Sequence, residues 1–216
     1  MKKSRKLRSN SLAPSWNCTW IAFQTDRHGN WEIYKTDPAG AEQIRLTDHP
    51  AADQQPNWSP DEEWIAFETN RDGNWEIYVM DKDGGNLQRI TNNPAADRRP
   101  TWSWDGRWIA FDSDREGQVD IYKVPVDVNN PGWTPATDAV RLTEDPGRDS
   151  DVAWVPYCDF LFFQSDRDQD YEVYRMDDDG NGETNISNEP DYVDVLDLIP
   201  AFAGMPDAVF DRMSLD

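Results

Sequence analysis

Short runs of adjacent apolar residues, separated by polar turns, recur along the chain. In the segment WIAFET at 64–69 the apolar residues are consecutive instead of alternating, which indicates a strand that is covered on both faces. Three further short segments accompany it, at 56–59, 75–80 and 87–91. The stretches between these segments are rich in Gly, Asn and Asp, which favour tight turns. The pattern predicts an antiparallel meander of four strands, here named inner, second, third and outer.

This unit repeats with a period of 44 residues. The sequence WIAF occurs at 20–23, 64–67 and 108–111, and a related FLFF occurs at 160–163, 52 residues after the third copy. The extra residues fall in the segment 124–139, which is interpreted as a lengthened loop. Four-stranded units that recur at this spacing, and cannot cover both faces alone, are typical of a β-propeller.

We therefore predict an all-β propeller of four-stranded antiparallel blades at residues 14–200, with four repeats at approximately 14–54, 55–98, 99–150 and 151–194. Residues 1–13 are predicted to be a disordered basic N-terminus, and 201–216 a C-terminal tail. A closed four-bladed ring is the favoured arrangement, and a shared or incomplete ring is the alternative. The segment 195–199 could supply the inner strand of the first blade, in competition with a short strand at 14–16.

The repeat, written out as WSPDEEWIAFETNRDGNWEIYVMDKDGGNLQRITNNPAADRRPTWS at 58–103, resembles that of the TolB-like, WD40-like β-propeller family. The resemblance covers roughly 14–200. It implies propellers that are often six-bladed, and six units at this period would need more residues than this chain has. It also implies a periplasmic or secreted protein, and repeats of this kind also precede the hydrolase domain of prolyl-oligopeptidase-like enzymes. Fold alone does not fix function.

Composition narrows the choice of partners. The chain has 42 Asp and Glu against 21 Lys and Arg, a formal net charge of −21, which repels nucleic acid and anionic lipid surfaces. We expect no nucleic-acid partner, no membrane insertion, and a protein or peptide partner of basic character. The basic start of the chain is not followed by an apolar stretch at 11–19, so no signal peptide is predicted. A homo-oligomer is expected if the ring is shared.

Three aspartates are candidate binding residues at the mouth of the central channel. Asp53, Asp97 and Asp149 each stand three residues after a proline, just before a predicted inner strand. Like charges held close together attract a cation or a basic side chain. The alternative is that each aspartate caps a turn or pairs with a nearby arginine.

Other repeated residues have a structural interpretation. The arginines at one position of the repeat are expected to link blades by pairing with a repeated acid such as Glu32, Glu76, Asp120 or Glu172; they are Arg27, Arg71, Arg115 and Arg167. The tryptophans at inner-strand positions are expected to be core residues, with sugar stacking as the alternative; they are Trp16, Trp58, Trp102 and Trp154.

Signals for a metal or for catalysis are weak. Asp177, Asp179 and Asn181 match the start of a calcium loop, but the twelfth position is Asn188 instead of Glu, and the equivalent turn of the second repeat at 81–86 is a simple hairpin. No cofactor is therefore expected, with Ca²⁺ as a weak candidate. His28 and His49 are the only histidines, and G-x-S-x-G is absent, so no enzyme is predicted.

The sequence thus favours a non-catalytic propeller scaffold that binds a protein or peptide through its acidic loop face and channel mouth. The alternatives are a propeller associated with an enzyme, either gating a hydrolase or acting on polysaccharide, and a repeat array with no evolved ligand. The identity of the ligand is left open.

Overall fold

The computed structural model describes residues 12–128, 139–155 and 158–187, and these form sixteen strands in four separate sheets. Each sheet is an antiparallel meander whose strands pair in sequence order. No helix occurs in the described ranges. The predicted all-β architecture of four-stranded propeller blades is confirmed.

Each blade runs from an inner strand to an outer strand. Blade 1 contains β1 (Leu12–Pro14), β2 (Ile21–Thr25), β3 (Glu32–Thr36) and β4 (Gln43–Arg45). Blade 2 contains β5 (Asp53–Trp58), β6 (Trp64–Thr69), β7 (Glu76–Asp81) and β8 (Gln88–Arg89). Blade 3 contains β9 (Asp97–Trp102), β10 (Trp108–Ser113), β11 (Asp120–Pro125) and β12 (Val140–Arg141). Blade 4 contains β13 (Asp149–Trp154), β14 (Phe160–Ser165), β15 (Glu172–Asp177) and β16 (Thr184–Asn185).

The hydrophobic core lies between blades. We call the face of a blade that packs on the next blade its trailing face, and the opposite face its leading face. Ala66 and Val79 on the trailing face of blade 2 belong to one apolar cluster with Ile109, Phe111 and Val124 on the leading face of blade 3. Because side chains alternate along a strand, consecutive residues of WIAF serve the two opposite interfaces. This explains why the second strands have no polar face.

The repeated tryptophans occupy two kinds of position. Trp58, Trp102 and Trp154 are buried in the interfaces between blades, as expected of core residues. Trp16 differs, because Ser15 occupies the turn position of Ser59, which places Trp16 in the turn after β1, where 37% of it is exposed. The inner strand expected at 14–16 is therefore wrong by two residues, since β1 ends at Pro14.

The four blades form an arc. Each blade packs on the next along the chain, whereas in the described ranges blades 1 and 4 are not packed against each other, so the favoured closed ring is not observed. In blade 1 the inner position is taken by β1, which pairs with β2, while the other edge of β2 pairs with β3. The competing strand, expected at 195–199, lies outside the described residues.

The turn that contains Gly84 of blade 2 packs closely against blade 1. A Cβ on Gly84 would lie 2.5 Å from the Leu46 carbonyl oxygen, and Gly84 has φ +87°, whereas Gly40 at the same turn position of blade 1 has φ +72° and open space around it. We expect Gly84→Ala to lower the free energy of unfolding by at least about 1 kcal/mol more than Gly40→Ala, because both add backbone strain but only the former adds overlap. Denaturant titration measures both. Equal losses would contradict the close packing.

Candidate functional site

The inner strands of blades 2, 3 and 4 share an irregularity that faces the central channel. The pairing of β5 with β6 shifts register between Gln54 and Asn57, and the same shift occurs in β9 and β13. The residue at each bulge has a left-handed backbone, with φ of 53° at Gln55, 52° at Arg99 and 55° at Asp151. A non-glycine residue in this conformation is uncommon, and such positions are held by their surroundings.

Part of that support comes from the preceding blade. The Gln55 amide donates to Gln24 Oε1 at 2.6 Å, and the Arg99 amide donates to Glu68 Oε2 at 2.9 Å. Gln24 and Glu68 are equivalent residues of the second strand. Neither residue was among the predicted site residues, although a polar residue follows each apolar run of the repeat: Gln24, Glu68, Asp112 and Gln164.

The bulges line an open cavity to which the inner strands of all four blades contribute. Its volume is about 320 Å³, and its wall includes Gln55, Arg99 and Asp151 together with Trp16 of blade 1. A cavity of this size can hold a few side chains of a peptide or a small ligand. The polar bulge residues thus give the channel its hydrogen-bonding and charged groups.

A charged cluster extends from this wall into the junction of blades 2, 3 and 4. Arg99 pairs with Asp112 and, at 3.2 Å from Nε, with Asp151. Asp112 and Glu68 are each only 2% exposed. Burial raises the pKa of Asp112 to about 7, against the opposing effect of Arg99, and burial likewise raises the pKa of Glu68. Removal of carboxylates from water therefore outweighs the attraction of one guanidinium.

The three predicted channel-mouth aspartates lie inside the blades. Asp53, Asp97 and Asp149 have no exposed surface. Each accepts from the arginine of its own blade, at 3.0 Å from Arg71, 2.9 Å from Arg115 and 3.1 Å from Arg167, so the carboxylates are turned into the protein instead of the channel. Burial raises the pKa of Asp97 and of Asp149.

The repeated arginines also stack on aromatic rings. The guanidinium carbon of Arg71 lies 4.9 Å from the centre of the Tyr78 ring, and Arg115 and Arg167 stack on the equivalent tyrosines. Arg27 stacks on Tyr34 in the same way, but it is exposed and donates to Gln43 Oε1 at 2.7 Å. Arg71, Arg115 and Arg167 thus hold the inner strand, third strand and turn of one blade together.

The repeated acids of the third strand have other partners than those expected. Glu32, Glu76 and Asp120 pair with an arginine of the outer strand at 2.9, 2.7 and 2.7 Å, and Glu172 accepts from Asn185. Glu32 and Glu76 also accept from a buried threonine hydroxyl. The expected pairs of these acids with Arg27, Arg71, Arg115 and Arg167 are therefore not formed. Blades 2 and 3 each have two separate acid–arginine sets instead, and blades 1 and 4 each have one of the two.

The face that carries the second-to-third turns and the outer-to-inner connections is acidic. We call it the loop face. Its exposed acids are Asp26, Asp48, Asp72, Asp114, Glu116, Glu144, Asp145, Asp168 and Asp170. Within the described ranges its exposed arginines are Arg27 and Arg148. The loop face therefore presents a strongly negative surface.

Some of these loop residues also order the turns. Asp72 accepts from the Tyr78 hydroxyl at 2.6 Å, and burial together with this bond raises the pKa of Tyr78 to about 12. His28 takes the place of Asp72 in blade 1, with Nδ1 2.7 Å from the Tyr34 hydroxyl. His49 lies exposed in the following connection, where its ring nitrogen accepts from the Ala51 amide.

The weak calcium candidate is a hairpin turn between β15 and β16. The amide of Asn181 donates to Asp179, and its side-chain nitrogen donates to the same carboxylate at 2.7 Å, which lowers the pKa of Asp179. Across the described part of the chain no group of three or more His, Cys, Asp or Glu is placed to hold a metal ion. Calcium binding by Asp177, Asp179 and Asn181 stays a prediction.

A helix of membrane-spanning length and hydropathy is not found in the described ranges.

A family model, the TolB beta propeller domain, matches residues 1–91 and 69–134, which is more than half of the chain. The chain belongs to this family. No curated protein matches the chain. A TolB-type protein from Agrobacterium tumefaciens is 29% identical, with a TM-score of 0.71, over 82% of this chain and 64% of its own. TolB from Acinetobacter baumannii is 22% identical, with a TM-score of 0.66, over 80% of this chain and 41% of its own.

Propellers of enzymes have the same fold. A puromycin hydrolase is 16% identical, with a TM-score of 0.62, and the match covers 85% of this chain but 29% of the hydrolase. At this identity the likeness concerns the fold alone. This chain spans less than two thirds of both TolB structures. Membership of the TolB family therefore establishes a propeller scaffold.

Proposed function

We propose that this TolB-type propeller is a non-catalytic scaffold that binds a basic segment of a protein or peptide through its loop face and the adjoining channel mouth. The observation that carries the proposal is the position of the arginines. Arg71 and Arg115 are paired inside the blades with buried aspartates. Asp48, Asp72 and Asp145 of the loop face contact an arginine, but the exposed acids of this face still outnumber its exposed arginines, Arg27 and Arg148. A basic partner is attracted to such a surface.

The channel supports the same proposal. The inner strands start at the loop face, and their bulges place Gln55, Arg99 and Asp151 in the wall of the cavity a few residues further in. An extended basic segment that lies on the loop face can therefore insert a side chain between blades. Asp151 has a carboxylate in this wall, which an inserted basic side chain would share with Arg99.

The test uses a fluorescently labelled oligolysine peptide and measures its anisotropy. We expect binding that weakens when salt is raised from about 0.05 to about 0.5 M, because salt screens exposed charges. The double variant Glu116→Lys with Asp170→Lys reverses two exposed acids of the loop face for which the structure shows no side-chain hydrogen bond. We expect it to bind the peptide at least about tenfold more weakly.

The matched control is Glu42→Lys with Asp127→Lys. These two exposed acids lie in third-to-outer connections, at the opposite end of the blades, and the net charge changes by the same amount. We expect less than about a threefold effect. Equal weakening by both double variants would show attraction to net charge instead of binding at the loop face, and absence of binding at low salt would refute the proposal.

A turnover assay separates this proposal from an enzymatic function. The purified chain is incubated with ester, peptide and uronate substrates, and we expect no reaction above that of buffer. Turnover that co-purifies with the chain, and that Asp151→Asn or Arg99→Gln in the cavity abolishes, would contradict a non-catalytic role.

A further inference from the structure

Lys35 on the third strand of blade 1 bonds to a turn of blade 2, and we call this contact a clamp. Lys35 Nζ lies 4.8 Å from the centre of the Trp20 ring. It donates to the Lys82 carbonyl at 2.7 Å and to Asp83 Oδ1 at 2.8 Å, both in the turn between β7 and β8. Lys35 is buried although it is charged, which is tolerated because the ring and the two oxygens replace its water.

The same clamp joins blades 3 and 4. Lys123 stacks on Trp108, with Nζ 4.6 Å from the ring centre, and donates to the Asp178 carbonyl in the turn between β15 and β16. In both interfaces a glycine two residues after that carbonyl packs against the carbonyl of the residue that directly follows the outer strand of the preceding blade. The atoms that a Cβ would meet are the carbonyl oxygens of Leu46, for Gly84, and of Leu142, for Gly180.

On its trailing face blade 4 has a cation and a ring that correspond to Lys35 and Trp20. Arg175 occupies the position of Lys35 and lies 4.5 Å from the centre of the Phe160 ring. The side chain of Arg175 is 40% exposed, against 5% for Lys35. Ile186, which follows β16 at the position of Leu46, is 39% exposed, against 8% for Leu46. A cavity of about 330 Å³ beside this stack is lined by Phe160, Arg175 and four aspartates.

Blade 1 carries the complementary half on its leading face. Ile21 and Phe23 occupy the positions of Ile65 and Phe67, and both are partly exposed where the latter are fully buried. Gly40 stands at the position of Gly84, with a positive φ of 72° and no atom within 4 Å of the place that a Cβ would take. The leading face of blade 1 thus has the apolar pair and the glycine turn that the trailing face of a preceding blade receives.

We propose that the trailing face of blade 4 binds the leading face of blade 1 of a second copy of this chain. The contact is head to tail and reproduces the interface that already joins consecutive blades within the chain. Because the two surfaces differ, each copy keeps one free surface of each kind until the assembly closes on itself. Arg175 then donates to the turn at 37–40 of the second copy, as Lys35 does to the turn of blade 2.

The test is the solution mass of the full chain as a function of concentration, by light scattering or sedimentation. We expect species heavier than the 24.9 kDa monomer, in amounts that grow with concentration. Ile186→Glu on the trailing face and Ile21→Glu on the leading face are each expected to weaken association at least about tenfold, because a charge would be buried in an apolar contact. Arg175→Gln, which leaves the apolar contacts in place, provides a second trailing-face variant with a smaller loss.

Mixing the two defective chains distinguishes a head-to-tail contact from other modes. Ile186→Glu retains an intact leading face and Ile21→Glu an intact trailing face, so an equimolar mixture is expected to form a one-to-one dimer and nothing larger. The control is Leu87→Glu, which changes an apolar residue of blade 2 that is 45% exposed and lies outside both faces. It is expected to associate like the unaltered chain.

Three results would overturn the proposal. A monomer at every concentration would show that another part of the polypeptide covers these faces, or that they stay open. Association that survives both Ile186→Glu and Ile21→Glu would place the contact elsewhere. Equal loss with Leu87→Glu would indicate unspecific apolar association.

Discussion

Replacing Asp53 by alanine is expected to lower the free energy of unfolding by about 3–5 kcal/mol, because it leaves a largely buried guanidinium without its partner. Both carboxylate oxygens of Asp53 accept from Arg71, at 3.0 and 3.1 Å, and Asp53 is fully buried. The side chain of Arg71 is 12% exposed, so little water can replace the lost carboxylate. Urea denaturation at neutral pH measures the loss.

The chain contains a matched control in blade 4. Asp149 forms the same pair with Arg167, but Arg167 also contacts Asp145, at 2.6 Å, and Glu183. Asp149→Ala therefore leaves the guanidinium with two acids, and we expect its cost to be smaller than that of Asp53→Ala by at least about 1 kcal/mol. Equal costs would show that the loss comes from the cavity left by the carboxylate, and not from the unpaired charge.

The same variants bear on the predicted binding role of Asp53, Asp97 and Asp149. A ligand at the channel mouth would need these carboxylates to leave their arginines, which the buried pairs oppose. If the pairs are structural, Asp53→Ala changes stability and leaves oligolysine binding at low temperature within about twofold of the unaltered chain. Loss of binding with unchanged stability would support the binding role.

Strands that are buried on both faces were predictable from sequence. The second strand of blade 2 was expected at 64–69 and β6 spans Trp64–Thr69. Its third strand was expected at 75–80 and β7 spans Glu76–Asp81. The reason is physical: two packed interfaces demand adjacent apolar residues, and a run such as WIAF then has one interpretation only.

The inner strands were harder to place. The strand expected at 56–59 begins three residues earlier, since β5 spans Asp53–Trp58. Its first half is polar and contains the bulge at Gln55, so it has no alternation that a sequence pattern could show. In blade 1 the pattern was misleading for another reason, because Trp16 looked like an inner-strand tryptophan although it aligns with the turn residue Pro60.

The candidate site was only partly predictable. The repeat located Asp53, Asp97 and Asp149 at the start of the inner strands, but not the direction in which they point. Each repeated arginine has two repeated acids as possible partners. Which of them lies beside it depends on the register of neighbouring strands, and the sequence does not show this register. The bulge residues were missed because their types differ, as Gln55, Arg99 and Asp151, and only their backbone conformation recurs.

The acid cluster that extends from the channel wall makes a second large effect testable. Asp112 is surrounded by charged groups from three blades: Arg99 of its own blade, Glu68 of blade 2, and Asp151 and Arg148 of blade 4. One of its oxygens pairs with Arg99, while the other, Oδ1, is buried and has no hydrogen-bond partner in the described structure. This arrangement suits a carboxyl group that holds its proton to higher pH than an exposed aspartate does.

Stability should therefore fall as pH rises through the range in which the unfolded chain has lost this proton and the folded chain still holds it. The pKa of Asp112 is about 7 in the folded chain and ordinary in the unfolded one, so between about pH 4 and 7 only the folded state binds the proton. Asp112 then stabilises the fold most below about pH 4, and this contribution decreases by up to about 4 kcal/mol as pH rises to about 8.

Because Asn cannot titrate, the difference in free energy of unfolding between the unaltered chain and Asp112→Asn isolates this contribution from those of other buried acids. As pH rises from about 4 to about 8, this difference should change by about 4 kcal/mol in favour of Asp112→Asn. The control Asp127→Asn, at an exposed position, should give no such trend. Urea titrations at pH 5 to 8 measure the free energy of unfolding of each chain. If this free energy changes with pH in the same way for Asp112→Asn and for the unaltered chain, Arg99 keeps Asp112 ionised throughout, and the two residues form an ordinary ion pair.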